Sequence, residues 1–157
     1  MKLISSERDV EGATLLLSKS FDEISVHFDE VFSSLNGIES YNSPVATLTS
    51  RFVVDSGSKI VPELKRRFRY ALATRNADTL YVYLSRILFE WDSSLVEKFQ
   101  DELCECIRLG ERPGEEHDAE AASLILRHGL VVPKDIQLLI PEILKKHPEV
   151  VARYGGL

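Results

Sequence analysis

With 157 residues, of which 44% are hydrophobic and 28% charged, the chain has the size and composition of one globular domain and not of a disordered protein. Its 25 acidic and 19 basic residues give a net charge of -6, which disfavours bulk binding of nucleic acid and favours cationic partners. No run approaches the roughly 18 apolar residues of a membrane span or resembles a signal peptide, so we expect a cytoplasmic protein that does not enter a membrane.

The chain begins with a long stretch that has the apolar spacing of an amphipathic helix, and we predict one helix over residues 10–35. Its apolar stripe is formed by Leu17, Phe21, Ile24, Phe28, Val31, Phe32 and Leu35. Gly37 would end this helix. The segment FDEISVHFDEVF lies within it and repeats Phe-Asp-Glu on either side of one histidine.

Two interpretations of that segment compete. On a helix, Glu23, His27 and Glu30 fall within about 60° of one another and could hold a metal ion. Such a site also needs ligands from a second helix, and the Glu-x-x-His spacing of di-iron bundles is absent. We therefore expect Phe21 and Phe28 to face the core, and the acidic residues to face water or a partner.

Three helices are predicted in the middle of the chain. Ser43-Pro44 is a favourable entry to a helix that continues to about Val54. The next helix covers about 59–76, where Pro62 is tolerated because it lies in the first turn. The helix over about 77–91 is apolar nearly all round, which indicates a central position.

The last third of the chain predicts shorter helices. Ser94 and Glu97 have capping-box spacing at the start of a helix that ends at Gly110. After the loop GERPGEEHD, Asp118 would cap a helix through His128 that stops at Gly129. A helix over 134–140 would be interrupted by Pro141 and resume to His147, Pro148 would end or kink it, and 155–157 would be a frayed tail.

These patterns together predict an all-α protein with a single domain over residues 1–157. We expect six to eight helices, arranged as a bundle or as stacked helix pairs. No internal repeat matches the patterns of HEAT or TPR proteins. Cys104 and Cys106, two residues apart on a helix, cannot form a disulfide with each other and should be one core cysteine and one half-exposed one.

A basic face on the 59–76 helix has two interpretations. Lys65, Arg66 and Arg69 project away from its apolar stripe and could contact phosphate or RNA. Alternatively, they could pair with acidic residues within the protein. The candidates for such pairing lie on the polar side of the 94–109 helix, at Glu97, Asp101, Glu102 and Glu105. The net charge of -6 favours pairing within the protein and disfavours nucleic acid.

Acidic residues recur in three places: the first predicted helix, the 94–109 helix, and the loop from Glu111 to Glu120. Two such clusters side by side would complement a basic protein, such as a nuclease whose cleft must attract phosphate. We predict a partner-binding site at Asp22, Glu23, Asp29, Glu30, Glu115, Glu116 and Asp118.

Motifs that would indicate catalysis are absent from the sequence. There is no HExxH, Cys-x-x-Cys, GxSxG, P-loop or GxGxxG, and the serine-rich stretches lack a nucleophile elbow. We therefore predict that the protein is not an enzyme and needs no cofactor or metal.

A little over half of the chain resembles the helical immunity proteins of bacterial toxin systems, including those of contact-dependent inhibition and other polymorphic toxins. The resemblance runs from RRFRYALATRNADTLYVYLSRILFEW through LVEKFQDELCECI to IQLLIPEILKKHPEV, with a polar Arg-Asn-Ala-Asp turn and leucine-rich helix pairs. Such proteins neutralise a toxin by binding it, often over its active site. The resemblance implies the same function here, with a basic toxin domain as partner.

Two other functions remain open at this point. A helical adaptor or scaffold domain would bind a peptide or helix in an apolar groove, and an exposed patch at Tyr81, Tyr83 and Trp91 would favour it. A metal-dependent enzyme would use Glu23 and His27 and would need further ligands. The oligomeric state cannot be derived from these patterns.

Overall fold

Only helices and turns occur in the part of the chain that the computed structural model describes, namely residue 4 and residues 9–36, 43–110 and 112–154. The predicted all-α class is therefore confirmed. The α-helices are α1 Val10–Leu17, α2 Phe21–Ser25, α3 Phe28–Ser33, α4 Pro44–Ser56, α5 Val61–Ala73, α6 Ala77–Val82, α7 Ser93–Val96, α8 Gln100–Leu109, α9 His117–Arg127, α10 Lys134–Lys146 and α11 Pro148–Tyr154. These are more helical segments than the six to eight expected.

Short non-α turns extend several of these helices. Helix α6 continues without a break into a π-helical turn, Tyr83–Ile87, and then into a 3₁₀ turn, Leu88–Glu90. Further 3₁₀ turns precede α5 at Gly57–Lys59 and join α7 to α8 at Glu97–Phe99. Pro62 does lie in the first turn of α5, as expected.

The prediction of a single helix over residues 10–35 is wrong, because local side-chain hydrogen bonds end and restart the helix. The Ser20 hydroxyl accepts a hydrogen bond from the Glu23 backbone N–H (3.3 Å) and donates one to the Glu23 carboxylate (2.9 Å). This reciprocal cap begins α2 in place of a continuing α1. After a turn at Val26 and His27, α3 starts at Phe28.

Two other helix starts differ from the prediction. Asp92, not Ser94, caps α7: its carboxylate accepts from the backbone N–H of Leu95 at 3.2 Å and from the Ser94 hydroxyl at 2.6 Å. Helix α9 begins one residue before Asp118, so Asp118 lies in its first turn.

Pro141 does not interrupt the helix that contains it. Helix α10 runs through it to Lys146, since the buried side chains of Ile136, Ile140 and Leu144 hold both halves against the core. Pro148 begins a new helix, α11, where its missing N–H costs nothing.

The core is organised around α6 with its extension and around α9. The central position predicted for residues 77–91 is confirmed, since most of its apolar side chains are fully buried. Helix α9 packs against α8, α10 and α11, and all nine residues 117–125 are buried. Phe68 packs on Tyr83 and Phe99, with ring centroids 5.8 and 6.0 Å apart.

A smaller hydrophobic cluster lies at the N-terminal end of the chain. Its buried members are Ile4, Ala13, Leu16, Ile24, Val31 and Val45. Phe28 and Phe52 are partly buried and contact both this N-terminal cluster and the main core. Helix α1 is therefore joined to the rest of the molecule mainly through α4, whereas Phe32 of α3 belongs to the main core and packs on Tyr83.

Both cysteines are buried and free, so the expectation that one is half-exposed is wrong. They lie on different sides of α8, which is covered by α9 on one side and by α5 and α10 on others. Burial raises the pKa of the Cys106 thiol well above its usual range.

Three elements of the sequence analysis fall outside the described residues: the helix stop at Gly37, Glu111 in the acidic loop, and the tail 155–157. None of the described helices combines the length and apolarity that a membrane-spanning segment requires.

Candidate interaction surfaces

The basic face of α5 is paired within the protein. Arg69 Nε donates a hydrogen bond to Glu102 Oε2 at 2.8 Å, and Lys65 Nζ lies 3.6 Å from Glu102 Oε1. Glu102 is buried on α8, so two cations of α5 neutralise one hidden carboxylate. This is the pairing with the 94–109 helix that the sequence offered as an alternative to phosphate binding.

Arg66, the remaining residue of this face, is also paired, and so is its neighbour Arg67. Glu63 accepts hydrogen bonds from Arg66 (2.6 Å) and from Arg67 (2.7 Å). Arg67 also bonds Asp29 of α3 and lies over the Phe32 ring, 4.7 Å from its centroid. The hydrogen bond and the charge of Arg67 lower the pKa of Asp29.

The four acidic residues predicted on the first helix have different surroundings. Asp22 and Glu23 are exposed in the first turn of α2, and no described cation lies within ion-pair distance of them. Asp29 is exposed but bound to Arg67. Glu30 is partly buried, accepts a hydrogen bond from the Ile4 backbone N–H, and lies 3.7 Å from the His27 ring. Asp22 and Glu23 are therefore the most open of the four.

Glu115, Glu116 and Asp118 come together at the start of α9, where they stabilise the loop before it. Glu115 accepts from the backbone N–H of Arg112 at 3.1 Å. Glu116 accepts from Arg153 of α11 at 2.9 Å. The carboxylate of Asp118 is buried and accepts from the Ala119 N–H at 2.7 Å.

A buried carboxyl group that the sequence analysis counted in the acidic loop, but not in the predicted site, lies one turn after Glu116 on α9. Glu120 is fully buried, and its Oε2 accepts a hydrogen bond from the Tyr154 hydroxyl of α11. Burial outweighs that hydrogen bond and the charge of Arg153, and raises the pKa of Glu120 to about 8. The small residues around it, in the run AEAAS, were the signal in the sequence, since they let neighbouring helices approach α9 closely.

Groups that could bind a metal do not converge at Glu23 and His27. Among the described residues Glu23, His27 and Glu30 do not form a group of three donors, although Glu30 lies 3.7 Å from His27. Glu116, His147 and Glu149, in contrast, bring one donor atom each to within 4.8 Å of one another. Arg153 already supplies positive charge to Glu116, and His147 Nδ1 lies 3.2 Å from Glu149 Oε1. An ion-pair network that fastens α11 to α9 accounts for this cluster.

The exposed aromatic patch expected at Tyr81, Tyr83 and Trp91 is not on the surface. Tyr83 and Trp91 are buried, and the Trp91 indole donates to the Val54 carbonyl at 3.0 Å. Tyr81 is half-buried, with Arg153 5.9 Å from its ring centroid. An adaptor function cannot rest on these residues.

An apolar groove does open elsewhere, between α9, α10 and α11. Its volume is about 650 Å³. Apolar side chains form most of its lining, including Leu126 from the end of α9, Leu130 from the loop after it, and Ile140 and Leu144 from α10. Lys145 is the charged residue of the lining. The spacing of apolar residues in the sequence predicted the buried stripe of α10 but could not predict the groove beside it.

Compared with known proteins, the chain matches no family model, no curated protein sequence and no solved structure.

Proposed function

We propose that this protein acts by binding another protein, and that it is a cytoplasmic immunity protein that neutralises a cognate toxin by direct contact. One observation carries the proposal. The cations of α5 are taken up by Glu63, Glu102 and Asp29, while Asp22 and Glu23 stay exposed without a described cation partner. Part of the negative charge of this protein, whose net charge is -6, is therefore carried by exposed carboxylates on α2 that a basic partner can contact.

The mechanism requires no chemistry from this chain. A toxin that acts on nucleic acid needs a basic cleft, and an acidic surface speeds the encounter with it and excludes phosphate once bound. In this proposal Asp22, Glu23 and Asp29 contact the toxin directly. Glu115 and Glu116 would form a second contact site.

Glu30 and Asp118 would act differently in the same proposal. Glu30 holds the backbone at Ile4, and Asp118 holds the backbone at the start of α9. These two residues would stabilise the backbone of the two contact sites and would make few direct contacts with the toxin.

The test begins with affinity purification from the native host, followed by mass spectrometry of the proteins that co-purify. A stoichiometric basic protein, whose toxicity is suppressed by co-expression of this chain, is the expected result. Recovery of nucleic acid or of a bound metal in place of a protein would contradict the proposal.

A charge-reversal pair then tests the surface. Asp22→Lys with Glu23→Lys should slow association at least tenfold and weaken its dependence on salt. The matched control is Asp55→Lys with Asp78→Lys, which makes the same change in net charge at exposed residues outside the three acidic clusters. Equal effects of both pairs would show that only the overall charge matters.

A helical adaptor is the second candidate function, and the apolar groove between α9, α10 and α11 favours it. The groove and the acidic residues of α2 belong to different parts of the chain, so variants of each can be tested separately.

A further inference from the structure

The charged residues of α10 are unevenly distributed around the helix relative to the groove. At about 100° per residue, Lys134 and Lys145 fall within about 20° of each other and next to Pro141, which lines the groove. The acidic residues of α10, Asp135 and Glu142, fall further round on the outer face. Asp135 is also bound there by Arg108 Nε at 3.5 Å. Lys145 is therefore part of the lining, Lys134 falls on the same side of α10, and neither acidic residue of α10 belongs to the lining.

Exposed apolar side chains continue the groove onto the surface. Leu126 lines the groove and is itself exposed. Leu138 is exposed and falls within about 20° of Lys145 on the helix. Apolar surface of this kind beside a preformed groove is typical of a binding site.

The two lysines limit what the groove can hold. They are 11 residues apart, which is about 16 Å along α10 and about three turns of a partner helix. A fatty acid has one acidic head group and would leave one lysine unmatched. A helix with acidic residues near both ends and apolar residues between them matches both lysines and the lining.

The shape of the walls agrees with a helical partner. They are themselves helices, whose side-chain ridges accept the ridges of another helix. No strand edge is present among the described residues, so an extended peptide would find no backbone partner of that kind.

We propose that the groove between α9, α10 and α11 binds an acidic amphipathic helix of about three turns from a partner protein, with its acidic ends on Lys134 and Lys145. This inference rests on the proposed function only in that the protein acts by binding another protein.

A phage-displayed library of 18-residue helical peptides, selected against the full chain, tests the inference. The expected peptides have apolar residues at i, i+3, i+4 and i+7 and acidic residues towards both ends. Fluorescence anisotropy of a labelled selected peptide then measures its affinity for variants. Lys145→Glu should weaken binding at least tenfold.

The controls are matched in charge and chemistry. Lys146→Glu makes the same charge change one residue further along α10, outside the lining, and should alter the affinity by less than twofold. Leu126→Asp should abolish binding, whereas Val26→Asp, at an exposed position in the turn between α2 and α3, should not. Circular dichroism checks that each variant is folded.

Several results would overturn the inference. They are no enriched peptide, peptides that bind Lys145→Glu and Leu126→Asp as well as the native chain, or enrichment of basic peptides. A dansylated fatty acid that displaces the selected peptides and binds more tightly would assign the groove to an acyl chain. A dimer in sedimentation that Leu126→Asp dissociates would assign it to a second copy.

The outcomes also separate this inference from the proposed function. If a toxin is found and Asp22→Lys with Glu23→Lys weakens its binding, but no peptide occupies the groove, the groove inference alone is wrong. If acidic helices bind the groove and no toxin is found, the immunity proposal alone is wrong.

Discussion

Arg69 and Arg66 donate to carboxylates of different burial, and we expect the burial of the acceptor, more than the exposure of the donor, to decide what each ion pair contributes to stability. Both arginines lie on α5, and their side chains are 63% and 64% exposed. Their acceptors differ, because Glu102 is 2% exposed and Glu63 is 21% exposed. A carboxylate hidden from water depends on its protein donors, since water cannot replace them.

We expect Arg69→Ala to lower the free energy of unfolding by about 1–3 kcal/mol, because it leaves the buried Glu102 with only Lys65 nearby. Arg66→Ala is the matched control and should cost clearly less, since Glu63 keeps its hydrogen bond from Arg67. Urea unfolding at pH 7 measures both variants. Equal losses would show that the burial of Glu102 is not the cause.

Glu120 leads to a second prediction at the scale of single residues, which concerns the dependence of stability on pH. Burial raises the pKa of this carboxyl group from 4.5 to about 8. Between these values the folded protein holds a proton that the unfolded chain has released. The stabilisation from the protonated carboxyl is therefore complete below about pH 4.5 and is lost as the pH rises towards 8. The slope is at most about 1.4 kcal/mol per pH unit.

Glu120→Gln tests this, because the amide is neutral at every pH. The native protein should lose stability relative to the variant as the pH is raised from 5 to 8, and urea unfolding across that range measures the difference. Parallel profiles for the two proteins would mean that Glu120 is ionised in the fold throughout.

At the scale of elements, short-range side-chain hydrogen bonds decide where helices begin and end. Ser20 and Asp92 each cap a helix start through their own side-chain oxygen. Apolar periodicity continues through residues 10–35, but the cap at Ser20 separates α1 from α2. A periodic stripe therefore predicts which residues are buried more reliably than it predicts helix length.

Pro141 provides the prediction at this scale. It has no N–H to donate to the Gln137 carbonyl inside α10, so Pro141→Ala should raise the free energy of unfolding by on the order of 1 kcal/mol. The loss of chain stiffness in the unfolded state offsets part of the gain. Thermal unfolding followed by circular dichroism measures the change.

Pro148→Ala is the matched control, because Pro148 is the first residue of α11 and removes no helical hydrogen bond. It should leave the stability unchanged or slightly reduced. A larger gain from Pro148→Ala than from Pro141→Ala would contradict this account of α10.

At the scale of the whole molecule, the two hydrophobic clusters predict unequal stability. The N-terminal cluster around Leu16 and Ile24 is small, and α1 to α3, which supply four of its six buried residues, have five to eight residues each. The main core includes α8 and α9, which pack closely together. Regions with few buried apolar contacts open at lower free energy than the core.

Native-state hydrogen exchange should therefore show earlier exchange in α1–α3 than in α8 and α9. Leu16→Ala and Leu103→Ala remove the same fully buried side chain from the two clusters, at a cost of about 2–5 kcal/mol each. The first should speed exchange mainly in α1–α3, and the second throughout. Uniform protection, or the same pattern in both variants, would show that the two clusters open as one unit.

Much of the architecture followed from the sequence alone. The apolar spacing predicted the all-α class, the buried stripes and the central position of residues 77–91. Gly110, at a φ of 72°, ends α8 where the pattern placed the stop. These are local properties, because the spacing of side chains along one helix and the freedom of one glycine depend on a few neighbouring residues.

The tertiary structure alone decided which polar residues are hidden and where an opening remains. Glu102 and Glu120 look like ordinary polar-face residues until α5 and α11 cover them with Arg69 and Tyr154. The groove between α9, α10 and α11 likewise exists only because three helices meet without filling the space. Burial depends on which distant element packs against a residue, and one-dimensional periodicity carries no information about that partner.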